Sequence, residues 1–143
     1  MITEMDILTA VRDVLKNEFK YKVYLDDIQE NFVPPAFFLQ VITTESDYSK
    51  TLTHWDCSLF IDFVPKQAEK AARFMYEIKA KLREMFVKGF QVKDRWIHVT
   101  SISAETSGEN KDFLECKLEF SFKQAIPENE TQYIMQNFYD RYY

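Results

Sequence analysis

Residues 54–63, His54-Trp55-Asp56-Cys57-Ser58-Leu59-Phe60-Ile61-Asp62-Phe63, decide the fold class. Trp55, Cys57, Leu59, Ile61 and Phe63 alternate with His54, Asp56, Ser58, Phe60 and Asp62. A period of two puts one face of an extended strand in a core and leaves the other mostly wet. Pro65 stops the run. The same alternation returns at Leu114, Cys116, Leu118, Phe120 and Phe122, interleaved with Glu115, Lys117, Glu119 and Ser121. Two long strands with one clean apolar face each belong to a mostly antiparallel sheet that is covered on one side.

The cover is helical. Ile7, Leu8, Val11, Val14, Leu15 and Phe19 recur at three- and four-residue steps opposite Arg12, Asp13, Lys16 and Asn17, which predicts an amphipathic helix over 3–19. Thr3 is placed to accept from the Asp6 amide, and Glu4 and Asp6 suit the positive helix start. A second helix over 68–87 carries the stripe Ala71, Phe74, Met75, Ile78, Leu82 and Met85, with Gly89 just beyond its end as a left-handed cap. Residues 21–25 and 36–44 (AFFLQVITT) have strand chemistry. Between them lies a polar connection ending in Pro34-Pro35. Residues 90–104 read as one or two strands around Trp96-Ile97-His98-Val99, and Glu45–Lys50 and Glu105–Asp112 read as polar loops. Helix, strands, helix, strands predicts an α+β fold: one domain over 1–127, its mostly antiparallel sheet packed against two amphipathic helices. A doubly wound parallel sheet needs more strand–helix alternation than this.

The chain has 143 residues, 46% of them hydrophobic, and only two glycines, Gly89 and Gly108. GxGxxG and P-loop phosphate cradles are therefore excluded. A net charge of −5 argues against wrapping nucleic acid. No apolar run reaches the ~20 residues of a membrane span, and the start Met1-Ile2-Thr3-Glu4 lacks the basic, then apolar, pattern of a signal peptide. Cys57 and Cys116 are too few for a secreted disulfide framework and fall on apolar strand faces, so they read as reduced core residues of a cytoplasmic protein.

No catalytic constellation emerges. His54, Asp56 and His98 lack metal-ligand spacing and read as solvated or hydrogen-bonded strand residues. Asp26, Asp27 and Glu30 in one loop, and Glu105, Glu109 and Asp112 in another, lack the calcium-loop pattern. We expect no metal, no cofactor and no enzyme. Charge is more telling. Residues 66–88 carry Lys66, Lys70, Arg73, Lys79, Lys81, Arg83 and Lys88 against Glu69, Glu77 and Glu84, a net +4 that leaves −9 on the rest of the chain. This basic helix reads either as a solvated face or as half of a contact with an acidic surface on an identical copy or another protein. A head-to-tail contact between unlike surfaces makes rings or filaments. Beyond Pro127, residues 128–143 form an aromatic extension with Tyr133, Phe138, Tyr139, Tyr142 and Tyr143. It reads either as an element docked on its own core or as an arm that buries its rings against a neighbouring subunit.

The opening helix, Val23-Tyr24, Phe32-Val33-Pro34-Pro35-Ala36-Phe37-Phe38-Leu39, Leu59-Phe60-Ile61-Asp62-Phe63-Val64-Pro65 and the charged helix that follows resemble the small tail terminator proteins. These occur in tailed phages and in phage-tail-like particles of Gram-positive bacteria. The resemblance runs from Ile7 to Lys123; the aromatic end departs from it. It implies a homohexameric ring, assembled in the bacterial cytoplasm, that sits on the head-proximal end of a tail tube, stops polymerisation and meets the neck or capsid connector. In contractile tails it also implies contact with the sheath. Acidic groups facing the lumen would keep a DNA channel non-adhesive. On this reading Glu45, Ser46, Asp47, Tyr48, Ser49 and Lys50, with Glu105, Glu109, Asn110, Lys111 and Asp112, project toward axial partners. Lys70, Arg73, Lys81 and the terminal aromatics Tyr133, Phe138, Tyr139, Tyr142 and Tyr143 serve lateral or sheath contacts.

A head–tail joining protein of the neck is the alternative structural role, and would be found on filled heads rather than on free tails. A small α+β ligand binder or enzyme would instead present a deep pocket with convergent polar groups.

Overall fold

The computed structural model describes residues 1–25, 33–66, 72–107 and 113–126. Along the chain the elements are α1 (Glu4–Phe19), β1 (Lys22–Tyr24), β2 (Ala36–Asp47), β3 (Leu52–Val64), α2 (Ala72–Phe86), β4 (Phe90–Val92), β5 (Arg95–Ile97), β6 (Val99–Ser107) and β7 (Phe113–Ala125). The two alternating stretches are neighbours at the centre of a five-stranded sheet ordered β1-β2-β3-β7-β6. All its pairings are antiparallel except β1 on β2. The α+β architecture with a mostly antiparallel sheet is therefore the one the alternation predicts.

Both helices cover the same sheet face. Ile7, Leu8, Val11 and Leu15 of α1 and Met75, Ile78, Leu82 and Phe86 of α2 join the inward residues of β2, β3 and β7 in one core. Aromatic rings fill its centre, with Phe37 and Phe63 4.9 Å apart and Phe19 5.1 Å from Phe37. The β4–β5 hairpin closes the core, Phe90 meeting Phe120 edge-on at 5.3 Å. At the start of α1, Thr3 accepts from the Asp6 amide (3.2 Å) while the Thr3 amide donates to the Asp6 carboxylate (2.8 Å), a reciprocal cap that satisfies two helix-end groups.

Three boundaries differ from the sequence reading. β2 continues through Glu45, Ser46 and Asp47, which pair with Trp55, His54 and Thr53, so the expected loop shrinks to a tip after Asp47. β6 likewise continues through Glu105, opposite Glu115. In both places the backbone ladder of a neighbouring strand holds polar residues that have no core to enter. Residues 90–104, read as one or two strands, form β4, β5 and most of β6, broken at the Lys93-Asp94 turn and at His98. Lys93 takes φ 55°, the left-handed conformation a tight two-residue hairpin turn requires. Gly89 has φ 106°, and a Cβ there would lie 2.1 Å from the Ile97 carbonyl oxygen, so backbone conformation and close packing both demand glycine.

Candidate assembly surfaces

The register decides which surfaces the molecule presents. Leu52 pairs with Ala125 at one end of the central strands, and Phe63 with Leu114 at the other. At about 3.3 Å per residue these ends are roughly 35 Å apart. The β2–β3 tip belongs to the first end and the β6–β7 connection to the second. The two segments expected to face axial partners therefore leave opposite ends of the sheet.

At the tip end, the amides of Tyr48 and Ser49 donate to the Leu52 carbonyl (3.2 and 3.0 Å), and the Ser49 hydroxyl accepts from the amides of Thr51 and Leu52. Tyr48, Ser49 and Lys50 are exposed beyond this turn, and Glu45, Ser46 and Asp47 are exposed along the strand. The Lys123 ammonium lies 3.7 Å from the centre of the Tyr48 ring, a cation–π contact that steadies the tip. Nearby, the Arg95 guanidinium sits over Phe122 and donates to the Lys123 carbonyl. Lys93 donates to the Met1 carbonyl (2.9 Å) and pairs with Asp6 (3.1 Å). The Thr3 amide, and then Lys93, hold the Asp6 carboxyl below its ordinary value. This end is thus a basic corner that composition alone did not reveal, because Lys93, Arg95 and Lys123 converge only after folding.

At the opposite end Glu105 is exposed beside Glu115. Glu109, Asn110, Lys111 and Asp112 lie outside the described residues.

The helical side presents α2. Arg73 has a side chain 92% exposed and an i,i+4 contact with Glu77 (3.6 Å). Tyr76 on α2 and Val87 just past its end are exposed hydrophobics. Lys81 has partners within the molecule: its ammonium pairs with Glu18 (3.1 Å) and lies 5.1 Å from the Phe19 ring, tying α2 to α1. Lys70 and the aromatics Tyr133, Phe138, Tyr139, Tyr142 and Tyr143 lie outside the described residues.

The sheet's other face buries Ala36 and Phe38 at its β2 corner, and beyond them it is polar and rich in carboxylates. Across it, Ser58 pairs with Glu119, Phe60 with Lys117 and Asp62 with Glu115, and Glu115 in turn with Glu105. His54 and Asp56 share a hydrogen bond of 3.0 Å, as a hydrogen-bonded strand histidine would. Cys57 and Cys116 are free thiols buried on the core face. Burial raises the first to about 12 and the second to about 11, leaving both protonated and inert at neutral pH. Cys116 stands opposite Ile61, four positions along the ladder from Cys57. That offset is roughly 14 Å, beyond the reach of a disulfide.

Among the described residues, no three His, Cys, Asp or Glu side chains group closely enough to hold a metal. No helix among them is long and apolar enough to cross a membrane. A groove of about 500 Å³ opens between Met1, Leu52, Arg95 and Ile126, lined by Lys93 and Lys123. What these surfaces offer chemically is contact: two unlike ends, a basic helix side and an acidic sheet side. The sheet-side carboxylates were legible singly as the wet positions of alternating strands. Their assembly into one surface required knowing that β3, β7 and β6 are adjacent.

Three comparisons with known proteins bear on this. A family model described as phage tail terminator protein matches residues 6–132. No curated protein matches the chain. Among solved structures, one that bears only an identifier as its name aligns over 88% of this chain and 97% of its own, with 14% identity and a TM-score of 0.48.

Proposed function

The chain belongs to the phage tail terminator family, and from that premise we propose that it caps the head-proximal end of a tail or tail-like particle as a homohexameric ring. The observation that carries this reading is the family match over residues 6–132. The arrangement of the sheet supports it. A cap needs one face that copies the tube's subunit contact and an opposite face that lacks it, so that growth ends.

The tip Tyr48–Lys50 and the β6–β7 connection leave the sheet at opposite ends, which suits them to two different axial partners. One is the tube protein below and the other the neck or connector above. Glu45, Ser46 and Asp47 extend the tip arm, and Glu105 with residues 109–112 forms the other face. Arg73 and the aromatic residues 133–143 serve contacts to the sides, including the sheath where the tail is contractile. A net charge of −5 keeps such a ring from adhering to DNA in its lumen. Assembly takes place in the bacterial cytoplasm, and the finished ring is part of the particle.

The test is electron microscopy of particles made with and without the chain. Loss of the cap gives tubes of uncontrolled length. Normal-length tails in its absence, or the protein confined to filled heads, would remove the capping role.

A further inference from the structure

The outward side of α2 and the outward face of the sheet are the two opposite sides of one two-layer body, and they carry opposite charge. Between residues 72 and 88, five cations stand against Glu77 and Glu84. Lys81 is engaged with Glu18 on α1, while Arg73, in contact with Glu77 of its own helix, and Arg83 are exposed. Between them runs an apolar line of Tyr76 (67% exposed), Ala80 and Val87, spaced to lie along one side of the helix.

The sheet face mirrors this. Glu105 and Glu115 are directly opposed on adjacent strands, and Glu119 and Asp56 lie further along the same face. Like charges directly opposed across a sheet are unfavourable unless a cation comes between them. Of the β7 cations on this face, Lys117 is already placed 3.0 Å from Glu119 and over the Phe60 ring, and Lys123 lies over the Tyr48 ring at the tip end. Exposed Ile42 and half-buried Phe60 supply an apolar centre, since Ile42 pairs with Ser58 and Gln40 with Phe60 on the same face. Each side is thus an apolar strip with a charged rim, and the rims are of opposite sign.

We infer that the α2 side of one copy packs on the outward sheet face of the next copy, with Arg73 and Arg83 facing Glu115 and Glu119 of the neighbour. The inference rests on the capping reading for the existence of a ring, and adds which surfaces build it. Because the two patches differ and lie on opposite sides of the subunit, the contact is head-to-tail. It cannot close as a two-fold dimer, and it closes as a ring when the rotation between copies allows. Its apolar centre supplies the affinity, and its charges supply register and exclude the reverse pairing of like sides. Salt weakens it, because the rims are exposed.

The experiment uses the full chain in native mass spectrometry and light scattering. Three samples are compared: wild type, Arg73→Glu with Arg83→Glu, and Glu115→Lys with Glu119→Lys. Wild type is expected to form a closed ring. Each charge-reversed variant alone is expected to lose it, and an equimolar mixture of the two is expected to restore it as an alternating ring. In that ring every reversed helix meets a reversed sheet. Milder Arg73→Ala with Arg83→Ala is expected to raise the assembly midpoint at least about tenfold, which keeps the test decisive if a reversal impairs folding.

Either reversed variant assembling like wild type, a mixture that fails to assemble, or a wild type that stays monomeric would overturn the inference. The capping reading fails separately, through normal tail length when the chain is absent. Regulated tails built with freely assembling reversed variants would sink this contact alone.

Discussion

Gln124 ties the start of the chain to the end of the last strand. It is only 7% exposed. Its side-chain oxygen accepts from the Ile2 amide at 2.9 Å, and its nitrogen donates to the Ile2 carbonyl at 3.1 Å. The side chain thereby does the work of a strand partner for a residue that has none, and Ile2 is itself buried. Gln124→Ala removes two neutral hydrogen bonds, about 1 kcal/mol each net, and strands two buried backbone groups at about 1–3 kcal/mol apiece before relaxation. We expect a loss of about 2–4 kcal/mol in urea unfolding.

Gln124→Glu refines the test. An ionised carboxylate still accepts from the Ile2 amide but faces the Ile2 carbonyl with a second oxygen, and burial raises its pKa in the folded state. The unfolded chain ionises near pH 4.3, so the folded form is penalised as pH rises past that value and is relieved below it. Relative to wild type, the cost is therefore greater at pH 7 than near pH 4, where the protonated acid can donate to Ile2. A cost for Gln124→Ala below about 1 kcal/mol, or a Gln124→Glu cost that does not change with pH, would refute the clamp.

Three further outcomes follow from other parts of the molecule. Gly89→Ala puts a Cβ 2.1 Å from a backbone oxygen at φ 106°, and is expected to lower stability by more than about 2 kcal/mol in thermal or urea unfolding. Cys57 and Cys116 are expected to resist alkylation in the native protein at neutral pH and to react at once in denaturant. Their ordinary value is 9.0 and their folded values are about 12 and about 11, so the unfolded chain ionises first and stability falls as pH rises above 9.0. Truncation after Pro127 retains β7 and the bond from the Ile126 amide to the Thr51 carbonyl (2.9 Å). The unfolding midpoint is expected to hold while ring or tail association weakens; a fall in the midpoint would assign the terminal aromatics to the core.

Periodicity read along the chain recovered the elements that bury a face. The alternation of Trp55 to Phe63 and of Leu114 to Phe122, the stripe on α1, the Thr3 cap and the glycine after α2 are local consequences of side-chain chemistry, and each is where it was expected. The misplaced boundaries share one cause. Glu45–Asp47 and Glu105 are polar residues held extended by the ladder of another strand, and the burial pattern of a single strand carries no trace of its partner. The partners of Lys81 within the molecule were hidden for a similar reason: Glu18 and Phe19 lie on the other helix.

From its residues alone, then, the chain determined that it would build a half-covered sheet under two helices, because burying apolar faces dominates folding and leaves a regular imprint at periods of two and 3.6. It also held enough of its family's pattern to be recognised. Only tertiary structure decided that the two polar segments leave opposite ends of the sheet and that three carboxylate-bearing strands lie side by side. It alone placed Gln124 against Ile2, 122 positions away. Those facts depend on strand order and register, which are set by contacts between distant segments and leave no local periodic mark.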